Sequence, residues 1–169
     1  MNASFASAAN AAKAAKGLAF AVAVFIVSWA AFALSSADRK SIKASESEAA
    51  ETVSRIKEAC GNKTLKFTFA WEGYRELDYT VGGMARDRVL SFAGDRANRV
   101  GNAMIALCSE PKLKEALSSV TEIRFAPQGE ALEFHYQMSR EGNRIDVRFG
   151  AFGVAANQDL TAELRKLYP

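Results

Sequence analysis

The chain has 169 residues, room for one domain and a short appendage. Hydrophobic residues make up 49% and charged residues 24%, an ordinary globular balance. The net charge is +3, but two of the 22 basic residues are Lys13 and Lys16; without them 20 basic residues face 19 acidic ones, which leaves no basic face for nucleic acid.

The apolar residues are unevenly spread. Gly17 to Leu34 carries no charge and follows Lys13 and Lys16. Ser35-Ser36-Ala37 then precedes the charged Asp38-Arg39-Lys40. Positive charges, an apolar run and small residues, in that order, are the layout of an export signal. Residues 1–37 are therefore expected to form a hydrophobic signal helix. It is either cleaved at Ala37, with Ala31-Phe32-Ala33 as a second site, or retained as a membrane anchor. The run lies between the length of a signal core and that of a bilayer span. Residues 38–169 are expected to be a single exported α+β domain, periplasmic or secreted. With the segment retained, the domain is tethered to the inner membrane, outside the cytoplasm. The first partner implied is the export machinery, acting on residues 1–37.

From Ser41 to Cys60 the pattern is helical. Ala49, Val53, Ile56 and Cys60 recur at three- and four-residue steps. Acidic residues lead, basic residues trail, and Gly61 is placed as a C-terminal cap. Thr64 to Trp71 alternates apolar and polar residues and reads as a strand, with Leu65, Phe67, Phe69 and Trp71 on one side. Leu77, Tyr79 and Val81 alternate weakly, and Met84 to Ala93 has no clear period. Asp95 to Cys108 reads as a second helix with Asp95 as N-cap. Pro111 opens a short third helix carrying Leu113 and Leu117. Three alternating stretches follow: 120–126, 131–138 and 144–152, with turns at 127–130 and 140–143. A last helix is expected from Asp159 to Tyr168.

The pattern predicts an α+β fold with an antiparallel sheet of about four strands. Three form a meander, one comes earlier, and three to four helices pack on one face.

The chemistry-bearing residues are few. Cys60 and Cys108 end the first two helices, and in an exported protein two cysteines are expected to pair. The bridge closes a loop of about 48 residues, worth ~4 kcal/mol in the chain-entropy model. His135 is the only histidine. A meander sets Arg148 opposite it and Glu122 on its other side, with Arg124 opposite Glu133 and Gln137 opposite Asp146. The expectation is a salt-bridged, solvated sheet face, with a Glu-His-Arg acid–base site as the rival reading. One histidine with scattered carboxylates does not make a metal site. No glycine motif for phosphate occurs, so neither a metal nor a cofactor is expected.

Trp71, Tyr74 and Tyr79 cluster in sequence, with Arg75, Arg86 and Arg88 near them. Such residues suit a contact that is half apolar and half wet. They are the candidates for a ligand or partner surface. The function expected is therefore an exported, non-catalytic binding or assembly module of unidentified partner. A binder of a small ligand or an anionic or sugar polymer is the alternative, and a small hydrolase centred on His135 the third.

Overall fold

The computed structural model describes residues 34–129, 133–152, 154–155 and 158–168. The signal expected at residues 1–37 lies almost wholly outside the described residues, as does part of the stretch 131–138. No helix of the described residues is long and apolar enough to cross a membrane.

Helix α1 runs from Ser36 to Cys60 and buries Ala49, Val53, Ile56 and Cys60. Strand β1 is Lys66–Phe69. Two short helices follow, α2 at Trp71–Arg75 and α3 at Tyr79–Gly82. The weak alternation around Tyr79 is thus helical. Asp78 caps α3 by accepting from the Thr80 backbone N–H at 2.9 Å, and Gly83 ends it in the left-handed region. Helix α4 spans Arg86–Leu107, so Asp95 lies inside it and Ala85 takes the N-cap position. The stretch 84–93 lacks a clear stripe because only Val89, Leu90 and Ala93 in it are buried, too few to set a period. Helix α5 is Pro111–Ser118, and α6 is Leu160–Arg165, started by Asp159 accepting from Thr161 and Ala162 N–H.

The close pair is α1 with α4. Gly101 makes it possible: a Cβ there would run into the Thr52 methyl group. The expected disulfide is present. Cys60, at the end of α1, bonds Cys108, just beyond α4, with Cα atoms 5.2 Å apart.

The main sheet contains β1, β2 (Glu122–Pro127), β4 (Gln137–Glu141) and β5 (Arg144–Phe149) in the order β1-β2-β5-β4. It is mixed, not antiparallel: β1 and β5 both run parallel to β2, and only β4 with β5 is antiparallel. The expected meander is therefore corrected, because β5 inserts between β2 and β4. Alternation reports which face of a strand is wet; it carries no information on which strand lies beside it. The hairpin turn is Gly142-Asn143, closer than the expected four-residue turn. Gly142 sits at φ 59°, the region a tight primed turn requires. A separate pair, β3 (Glu133–Phe134) and β6 (Val154–Ala155), is parallel.

One face of the sheet is dry, and six helices rather than three or four are formed among the described residues. Ile123, Phe125, Ile145, Val147 and Phe149 point into that face and are fully buried. Each contributes roughly 1.5–3 kcal/mol by leaving water. Glu122, Arg124, Arg144, Asp146 and Arg148 alternate onto the wet face.

Candidate functional site

A groove lies between α1 and the outer edge of β1. It encloses about 650 Å³. From α1, Glu46, Ala49, Ala50, Val53, Ser54 and Lys57 face it at three- and four-residue steps. From the strand side come Leu65, Phe67, Phe69 and Trp71. The helix side is low because its central residues are small, and the strand side is aromatic.

The aromatic wall is rigid. Phe67 meets Phe125 edge-on at 5.1 Å, Phe69 stacks on Phe125 at 5.4 Å, and Trp71 stacks on Phe69 at 4.8 Å. The Trp71 indole N–H donates to Glu46 at 2.9 Å, which ties the wall to α1 at one end of the groove. Lys57, in the last turn of α1, stands at the opposite end, beside Leu65. The groove thus carries an acid at one end and a base at the other.

β1 is also a terminal strand of its sheet. The Lys66 and Ala70 N–H groups donate to Thr121 and Phe125 of the β2 side at 3.0 and 2.8 Å. By the two-residue period of a strand, the backbone groups of Phe67 and Phe69 point the other way, out of the sheet and along the groove. The opposite edge differs. β4 reads Gln-Met-Ser-Arg-Glu, and of these only Met138 is not exposed.

Of the six ligand candidates, Trp71 alone enters this groove. Tyr74 is fully buried and stands in the core, where burial raises its phenol pKa well above the ordinary value. Tyr79 donates its hydroxyl to the Tyr74 carbonyl at 2.6 Å, and its ring lies under Arg86. Arg86 in turn approaches the buried Asp38 at 3.8 Å. Arg88 lies over Phe92, and Arg75 is exposed. Trp71, Tyr74, Tyr79 and Arg86 are linked, but through the interior rather than along one open surface.

The His135 constellation does not assemble as expected. Because the hairpin turns at Gly142-Asn143, Arg148 faces Gln137, and because β5 sits between β2 and β4, Glu122 faces Arg144. His135 lies exposed between β3 and β4. Glu122 accepts instead from the Thr68 hydroxyl at 2.8 Å and approaches Lys66 at 3.8 Å. Arg124 meets Glu72 rather than Glu133, whose side chain lies outside the described set. Asp146 pairs with Arg144, not Gln137. The wet face is nonetheless laced with opposite charges. Among the described residues, no three His, Cys, Asp or Glu side chains converge as a metal site.

Two buried polar residues carried no sequence signal. Asn62 and Arg96 are each 2% exposed. The groove's helix wall was also missed. Ala50, Ser54 and Lys57 form a second stripe on α1 beside the apolar one, and it is visible only once the first is assigned.

No protein family matches the chain, and no curated protein or solved structure is significantly similar to it.

Proposed function

We propose that this protein is an exported, non-catalytic binding module whose partner docks in the groove between α1 and β1. The groove carries the reading: it is concave, mainly apolar, walled by a half-exposed tryptophan and bounded by opposite charges. Such a surface suits macromolecular contact better than acid–base chemistry. Export rests on the apolar run 17–34 with its preceding lysines, and the Cys60–Cys108 bridge suits an oxidising compartment.

The reading is tested in the protein's own cells with a photo-crosslinking amino acid placed at Ala50, in the groove, or at Ser139, on the polar edge. Both positions are exposed. The expected result is one discrete adduct from Ala50, absent from Ser139, in the fraction outside the cytoplasm. Equal labelling from both positions rejects the groove. A cytosolic chain whose cysteines alkylate freely rejects export.

A further inference from the structure

Resting on that reading, we propose that the groove receives an extended segment of a partner protein. The segment adds to β1 as a new edge strand. It carries apolar side chains at alternate positions and an acidic residue at the end that lies by Lys57.

Four observations converge. First, the N–H and C=O groups of Phe67 and Phe69 point out of an open sheet edge, so a ready hydrogen-bonding template faces the groove. Second, a strand laid along that edge sends every other side chain toward the α1 side, into a space lined by Ala49, Ala50, Val53, Phe67, Phe69 and Trp71. Its intervening side chains fall on the wet face beside Lys66 and Thr68. Alternation is therefore the pattern the site selects. Third, the charges are polarised. Glu46 is engaged by the Trp71 indole, whereas Lys57 makes no ion pair with any described residue. An acid at the Lys57 end is favoured and an acid at the Glu46 end repelled. Fourth, the two sheet edges are unlike. β4 has the polar, charged character that blunts an edge, while β1 continues into Phe67, Phe69 and Trp71.

A second copy of this chain fits less well. The apolar side chains its β1 offers at alternate positions, Phe67 and Phe69, are already packed on Phe125, and the Lys57 of a second copy supplies no acid for this one.

The test uses the full chain in detergent micelles. The probes are synthetic peptides with valine at alternate positions, threonine between them and aspartate at one terminus, made in both sequence directions. Controls have the valines made consecutive, or lysine in place of aspartate. Amide hydrogen exchange is read residue by residue, with indole fluorescence in parallel. The expected result is slowed exchange at Phe67 and Phe69 with one or both alternating peptides, no change along β4, and a fluorescence shift from Trp71. Lys57→Glu is expected to weaken the aspartate peptide about fivefold or more, and to favour the lysine peptide. Ala50→Arg, at an exposed helix position that leaves the fold intact, is expected to abolish binding.

Unchanged exchange at Phe67 and Phe69 with millimolar peptide overturns the proposal, as does equal binding of the consecutive-valine control. Protection that appears without peptide and grows with protein concentration assigns the edge to a second copy. Protection lost on deleting residues 1–33 assigns it to the chain's own N-terminal segment. Either of those also overturns the proposal. A discrete Ala50 adduct in cells combined with no peptide protection leaves the docking groove standing and removes strand addition alone.

Discussion

Arg96 donates from Nη2 to the carbonyl oxygen of Ala151 at 2.8 Å. It does so from the middle of α4, at 2% exposure, with its guanidinium 4.8 Å from the centre of the Phe149 ring. The contact ties the long helix to the chain just after β5. It places a cation inside the core beside Tyr74 and Tyr136, and burial pulls its pKa below the ordinary arginine value. Arg96→Ala is expected to destabilise the protein by about 2–4 kcal/mol, through a lost charged hydrogen bond and a cavity. Arg96→Met restores volume and is expected to cost less. Urea denaturation of the two variants checks the order, and equal stability of Arg96→Ala and the parent refutes it.

The same cluster sets an alkaline limit. Burial pushes the Tyr136 phenol up to about 12 and raises Tyr74 further. Unfolded tyrosine titrates near 10. Both hydroxyls thus hold their protons more tightly when folded, and their stabilisation is fully present below pH ~10 and lost as pH rises toward the folded values. Thermal midpoints are expected to fall steeply above pH ~10. Tyrosinate absorbance is expected to appear in two stages, the half-buried Tyr79 and Tyr168 first and the buried pair with unfolding.

Asn62 uses its whole amide. Nδ2 donates to Leu117 O at 3.0 Å and Val120 O at 2.7 Å, and Oδ1 accepts from the Thr64 and Leu65 N–H groups at 2.9 and 2.8 Å. One side chain thereby aligns the starts of β1 and β2. Asn62→Ala strands the buried Val120 carbonyl and the Thr64 and Leu65 N–H groups, while Leu117 O keeps its bond from the Val120 N–H. The change is expected to cost about 2–4 kcal/mol. Asn62→Asp keeps the acceptors but turns a charge on two carbonyls. Its stability is expected to rise as pH falls and the carboxyl protonates, a trend the parent does not share in that range.

Reduction of Cys60–Cys108 releases a 48-residue span. The stability lost is expected to be about 2–4 kcal/mol, with the Cys60→Ser, Cys108→Ser double variant matching the reduced parent. A denaturation midpoint unmoved by reductant contradicts this.

Much of the local structure was legible. The α1 stripe, the Pro111 helix, the existence of a last helix after Asp159 and the wet and dry faces of β2 and β5 all follow from periodicity and turn chemistry. The disulfide followed from cysteine count and presumed compartment. Helix α3 was hidden because its four residues depend on Asp78 and Gly83 rather than on a stripe. The start of α4 was hidden because its buried face carries Gly94 and Arg96 among Val89, Leu90, Ala93 and Ala97, so the period of burial is not a period of apolar residues.

What the chain alone determined is therefore which residues seek water and where the helices with a clean apolar stripe run, since both are set by neighbours within a turn or two. Strand order, and with it the site, was decided only in three dimensions. Whether β2 lies beside β4 or β5 depends on contacts between residues far apart in the chain, to which a two-residue alternation is blind. That choice took Glu122 away from His135, and the Gly142-Asn143 turn set Arg148 opposite Gln137. With β1 held at the end of the sheet, the strand order also left Phe67 and Phe69 with backbone groups facing an open groove.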